Sequence, residues 1–179
     1  MIGCVITTHQ SDIRPTGHAV MDRCVQSLER VLGDECGIIV VDNGSPTPYH
    51  NNSKYDFIYR PEQLNGLTGG WNMGVSMAYE MGYDIICVMS DDIYFNDSFK
   101  KYEKVIDNHD CKRDGIFGFS RQFFVDRNVN GMLFDNKYPF GGNEQYFQQQ
   151  AWKTGARSFV IGDCLVHHEH LNAWKKIKP

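Results

Sequence analysis

The chain has 179 residues, with 22 acidic against 18 basic side chains and a net charge of −4. Hydrophobic residues make up 41% and aromatic residues 13%, which excludes a disordered chain, and the length suits one domain with its own core. The acidic balance, with no Lys/Arg cluster beyond the Lys175-Lys176-Ile177-Lys178 tail, argues against a nucleic-acid partner, and no apolar run is long enough to span a bilayer.

In chain order, Ile2–Thr7 is a short apolar run that predicts a buried strand, closed by the polar stretch from Thr8 to Asp12. A helix is expected over Gly17–Leu32, with Val20, Cys24, Leu28 and Val31 or Leu32 on its apolar stripe and Gly33 as its stop. Gly37–Val41 is a β-branched strand that ends in the turn signal Asp42-Asn43-Gly44-Ser45-Pro46. Phe57–Tyr59 predicts a third strand. A glycine-rich loop, Asn65–Gly70, then leads into a helix over Trp71–Met81. Asp84–Met89 is the most apolar strand and stops at Ser90-Asp91-Asp92. A helix is expected near Asp97–Asn108, short strands at Gly115–Phe119 and Phe123–Val125, and a helix at Gly142–Thr154. One bent strand is expected to run through Ser158–Ile161 and Cys164–Val166.

This alternation predicts an α/β fold: one domain over residues 1–179, with a mostly parallel central sheet flanked by helices. Ligands in such sheets bind at the carboxyl ends of strands. Three polar clusters fall there: Thr7-Thr8-His9, Asp42-Asn43-Gly44-Ser45 and Ser90-Asp91-Asp92. The six cysteines are scattered without a C-x-x-C pair, so neither a zinc site nor a disulfide framework is indicated. With no signal peptide before the first strand, a reducing, cytoplasmic setting is the expectation.

Each cluster has a chemical reading and a plainer one. Two adjacent carboxylates at Asp91-Asp92, after a buried strand, are costly unless a cation sits there, and hard oxygen ligands suit Mg²⁺ or Mn²⁺ shared with substrate phosphates; the pair also fits a helix N-cap with a spare acid. The glycines from Gly66 to Gly74 let backbone approach a phosphate or a neighbouring strand, but they form neither a Walker loop nor a dinucleotide fingerprint. Asp42 fits a base or ribose contact and equally an Asx-turn. Glu144, at a helix start, fits a general base or a dipole-complementing carboxylate. Three histidines within His167-His168-Glu169-His170 are a candidate source of a metal ligand.

Taken in order, these segments resemble the family-2 glycosyltransferases of the GT-A fold. Thr7-Thr8 resembles the family's first nucleotide-contact strand, Ser27-Leu28 its first helix, and Val40-Val41-Asp42-Asn43-Gly44-Ser45 its second-strand motif. Gly66 through Asn72, Gly74 and Ala78 resemble its Asn-x-Gly segment. Ser90-Asp91-Asp92 occupies the D-x-D position. Phe134-Asp135, followed nine residues later by Glu144 and after eleven more by Gly155, fits its later spacing. Ser90 for the first acid, Leu64 for an Asn and Gln150 for an Arg are departures.

The resemblance implies a nucleotide-diphospho-sugar transferase-like domain, with a nucleotide-sugar-binding half at 1–92 and an acceptor and catalytic half at 93–179. It implies inverting transfer of a hexosyl or deoxyhexosyl group from a nucleotide sugar, UDP by default, to a glycan or other hydroxyl. Thr7, Thr8, His9, Asp42, Asn43, Gly44, Gly66, Gly70, Asn72 and Asp91 would contact the donor, Asp92 and His168 the Mn²⁺ or Mg²⁺, and Glu144 the acceptor proton. His167 is the one-residue alternative to His168. The rival readings are a non-catalytic nucleotide-sugar or glycan-binding module, and a nucleotidyltransferase, for whose phosphate-clamping loop only Arg14 is near the first strand.

Overall fold

In the computed structural model the first strand, β1 (Ile2–Thr8), is buried along its whole length, as expected for a strand covered on both faces. The structure describes residues 1–50, 57–59, 66–100, 110–113, 116–139, 145, 147, 149, 158–160 and 166–168, with the backbone alone at 57–59, 110–113, 158–160 and 166–168. After β1 come α1 (Gly17–Leu32), β2 (Cys36–Asp42), β3 (Phe57–Tyr59), α2 (Gly66–Glu80), β4 (Ile85–Ser90) and β5 (Ile93–Phe95). Then follow β6 (Asp110–Arg113), β7 (Ile116–Ser120), α3 (Arg121–Arg127), β8 (Ser158–Val160) and β9 (Val166–His168).

Seven strands form one sheet in the order β3-β2-β1-β4-β7-β6-β8, and β5 pairs with β9 in a second. β3, β2, β1 and β4 run parallel, β7 runs against β4 and β6, and β8 is parallel to β6. The expected mostly parallel α/β sheet is thus present, with β7 as its reversed strand.

Alternation along β1 divides the core between two faces. Ile2, Cys4 and Ile6 pack with Met21, Cys24, Leu28 and Val31 of α1, while Val5 packs with Trp71, Val75 and Ala78 of α2. The second face runs on into an aromatic cluster in which Phe147 meets Phe117, Phe119, Phe123 and Phe134 at ring-centroid distances of 5.1–6.5 Å.

Three expectations are corrected. The glycine-rich segment is not a loop: α2 begins at Gly66. Phe123–Val125 is not a strand but part of α3, whose start is capped by Ser120 Oγ accepting from Phe123 N at 3.1 Å; a one-turn burial of Phe123 and Phe124 replaces strand alternation. The expected last bent strand is two strands in different sheets, β8 on β6 and β9 on β5. β5 and β6 were not foreseen. Asp97–Phe99 opens as a 3₁₀ turn capped by Asn96, and residues 145, 147 and 149 are helical; the remainder of those two expected helices lies outside the described residues. Among the described residues no helix is long and apolar enough to cross a membrane.

Candidate active site

The carboxyl ends of β2, β1 and β4 lie side by side, because Thr8 is in register with Asp42 and Thr7 with Ser90. Three polar clusters far apart in sequence therefore share one sheet edge. Thr8, Asp42, Asn43, Asp91 and Asp92 are all buried there.

The tightest link runs from β1 to the acidic turn after β4. Thr8 Oγ1 donates to Asp91 Oδ2 at 2.7 Å. Arg14 grips the same carboxylate with both terminal nitrogens, at 2.7 Å to Oδ2 and 2.6 Å to Oδ1, and also donates to the His9 carbonyl at 3.0 Å. Burial pushes the Asp91 carboxyl up, while Arg14 and the Thr8 hydroxyl pull it down. Against the lowering effect of its own burial, Arg14 is held charged by Asp91, with Asp92 adding to the pull. The fork geometry supports an ionised pair. Asp92 is the next residue on the turn and is 7% exposed.

At the end of β2, Asp42 closes its own turn. Its Oδ1 accepts from the Ser45 hydroxyl and from Ser45 N, and its Oδ2 accepts from Tyr49 N at 2.8 Å. Gly44, at φ 74°, supplies the left-handed residue of that turn. Asn43 ties three elements together: its N–H donates to Thr8 O at 2.9 Å, its Nδ2 donates to Gly66 O at 2.6 Å, and its carbonyl accepts from His9 Nδ1 at 3.1 Å. The plainer reading of Asp42, an Asx-turn, is the contact present.

The glycines of α2 lie against protein. A Cβ on Gly70 would stand 2.6 Å from Thr7 Cγ2, and one on Gly66 would stand 2.8 Å from the Pro139 carbonyl. The amide of Thr68 donates to that same carbonyl at 3.2 Å. Asn72 braces residues 133–136 through its side-chain amide. Thr7 Oγ1, by contrast, is buried without a hydrogen-bond partner among the described residues.

Sequence reasoning missed Arg14 as a site residue, although it is the sole Lys or Arg between β1 and α1. It also missed His18, whose ring packs edge-on against Tyr49 at 5.2 Å and lies 3.4 Å from Ser45 Oγ. Glu144 lies outside the described residues. His168 is placed by backbone register alone, opposite Ile93, with His167 opposite Tyr94. That pairing brings β9 next to the acidic turn. Among the described side chains no three His, Cys, Asp or Glu residues gather into a metal-binding group.

A parallel sheet followed by a mixed half is the GT-A architecture, and solved structures bear the comparison out. The mannosyltransferase PcManGT from Pyrobaculum calidifontis, in complex with GDP-Man and Mn²⁺, superposes with a TM-score of 0.72 at 10% identity, over 97% of this chain and 59% of that one. Residues 1–349 of S. aureus TarS give 0.68 at 14%, over 99% and 63%. A mutant Drosophila β1,4-galactosyltransferase 7 with manganese, UDP-Gal and xylobiose gives 0.63 at 14%, over 98% and 73%. The chain thus spans less than two thirds of the mannosyltransferase and of TarS 1–349. No curated protein sequence matches it. The family model for glycosyl transferase family 2 matches residues 4–171, so the chain belongs to that family.

Proposed function

We propose that this chain transfers a sugar from a nucleotide-diphosphate sugar to an acceptor hydroxyl, with inversion and with help from a divalent cation. The observation that carries the reading is the shared edge of β2, β1 and β4, where the Asp42 turn, Thr7-Thr8 and the Asp91-Asp92 turn meet. Thr7 Oγ1, buried without a partner among the described residues, suits a hydroxyl that a nucleotide would engage. UDP is the favoured nucleotide; TarS structures with UDP and with UDP-GlcNAc are among the folds this chain is similar to.

The residues present fit Mn²⁺ or Mg²⁺ by donor chemistry: Asp92 supplies a hard carboxylate at the sheet edge and β9 brings His168 to the neighbouring register position. When bound, the cation would neutralise charge on the departing nucleoside diphosphate. Thr7, Thr8, His9 and the Asp42-Asn43-Gly44 turn would seat the nucleoside; Gly66, Gly70 and Asn72 would hold the wall beside it. Glu144 would take the proton from the acceptor hydroxyl as it attacks the anomeric carbon. Phe147, three positions on, is buried in the aromatic cluster.

The test is the thermal stability of the protein with a panel of nucleoside diphosphates and nucleotide sugars, each with Mn²⁺ and with chelator. One nucleotide should raise Tm in the presence of metal and not in its absence. No shift with any donor at saturating metal overturns the reading. Glu144→Gln should then lower turnover with the acceptor about a hundredfold or more. Binding without transfer or donor hydrolysis in the parent protein would instead make the chain a binding module.

A further inference from the structure

We propose that Arg14 is a positioning residue that takes Asp91 out of ligand binding, so that the two adjacent acids of the β4 turn have separate duties. Asp91 is the internal counter-ion that pins the segment between β1 and α1 to the sheet edge, and Asp92 is the acid of the pair that serves the cation. The second duty rests on the function proposed above; the first stands on geometry.

Asp91 already accepts three hydrogen bonds of 2.6–2.7 Å, two from Arg14 and one from Thr8, out of about four a carboxylate can take. Both ion-pair partners are sunk in protein, with side chains 12% and 7% exposed. Solvent therefore does little to weaken the pair, and removing either partner strands a buried charge. Arg14 is itself held in place by its backbone. Its N–H donates to Ser11 O at 2.9 Å, and its carbonyl receives Gly17 N at 3.2 Å, where α1 begins. A Cβ on Gly17 would come within 2.6 Å of the His9 carbonyl, so the segment has no slack in which the guanidinium could wander. Arg14 NH1 donates to that same carbonyl. Through side chain and backbone together, Arg14 thus ties the end of β1, the start of α1 and the acidic turn into a unit. A carboxylate placed beside Asp92 without this partner would compete for the cation.

The test combines melting temperature in chelator with Mn²⁺ affinity, read from the electron paramagnetic resonance of free Mn²⁺ in the presence of UDP. The variants are Arg14→Met, Asp91→Leu, both together, and Asp92→Asn. Each of the first two alone should lower Tm in chelator by about 10 °C, since breaking a buried pair is costly, and the double variant should lose less than either. Arg14→Met should bind Mn²⁺ more tightly, because the cation then meets a second anionic carboxylate. Asp91→Leu should leave the Mn²⁺ affinity within about threefold, while Asp92→Asn should weaken it about tenfold or more, as loss of a ligand does. Strictly additive Tm losses, or an Asp91→Leu protein as impaired in Mn²⁺ binding as Asp92→Asn, overturn the division of duties. If Asp92→Asn binds Mn²⁺ like the parent, the metal reading fails instead; the melting cycle, which needs no metal, still decides the Arg14–Asp91 pairing.

Discussion

Asn72 holds residues 133–136 with a single amide. Its Nδ2 donates to Phe134 O at 2.8 Å and to Asn136 Oδ1 at 3.3 Å, and its Oδ1 accepts from Leu133 N and Phe134 N at 3.0 and 2.9 Å. Removing such a side chain leaves buried backbone groups unpaired, at about 1–3 kcal/mol for each unsatisfied group. Asn72→Ala should therefore cost about 2–4 kcal/mol in urea unfolding without nucleotide, a loss that a residue serving only the donor would not show. His18 makes a separate statement about pH. Burial lowers its pKa, against the raising influence of Asp42, Asp22 and Asp91. The unfolded chain takes up this proton first, so the contribution of His18 is present above about pH 6.5 and is lost as pH falls from there through its lower folded value. Unfolding curves of the parent and of His18→Gln should diverge with that slope; a parallel pair would show that the ring's burial has no such effect.

At the scale of elements, α2 shows both what a sequence discloses and what it conceals. Four glycines between Gly66 and Gly74 are poor helix formers, each costing about 1 kcal/mol against alanine, and local propensity reads them as a loop. Yet Gly66, Gly70, Gly74 and Ala78 recur every four residues and line one face of the helix. Tertiary packing overrides propensity, because only a face of glycine and alanine lets α2 lie directly on β1. A Cβ at Gly74 would stand 2.2 Å from Val5 Cγ1, whereas at Gly82, with φ 86°, it would meet nothing within 4 Å. Gly74→Ala should cost about 1–3 kcal/mol through overpacking, and Val5→Ala should recover part of it. Gly82→Ala should cost about 1–2 kcal/mol through its left-handed backbone alone, and Val5→Ala should leave that loss unchanged. Equal response of both variants to the second substitution would refute the close-packing explanation. α3 was hidden for a related reason: Phe123 and Phe124 look like strand residues, and only the Ser120 cap and the aromatic cluster turn them into a helix.

The whole molecule joins a half that is plain in the sequence to one that is not. β1, β2 and β4 are continuous apolar runs whose carboxyl ends carry polar clusters, so both the parallel sheet and the location of the site could be read from pattern. Arg14 could not, because its partner Asp91 lies 77 residues away and the charge gave no pairing. β5 and β9 are three residues each, too short for any periodicity, and their pairing depends on residues more than 70 apart. That pairing sets the final prediction. Because Ile93 faces His168 in the β5–β9 register, closing the small sheet brings the histidines beside the acidic turn, and a cation held by both would tie the end of the chain to its centre. The Tm gain from Mn²⁺ with the preferred nucleotide should therefore depend on one histidine more than on the other. His168→Ala should lose about tenfold in Mn²⁺ affinity, which is about 1.4 kcal/mol and a few degrees of that gain, while His167→Ala should keep it. The reverse ranking would shift the ligand by one register position, to the residue opposite Tyr94. Equal and undiminished gains in both variants would remove β9 from the cation site and leave its pairing with β5 as a purely structural closure.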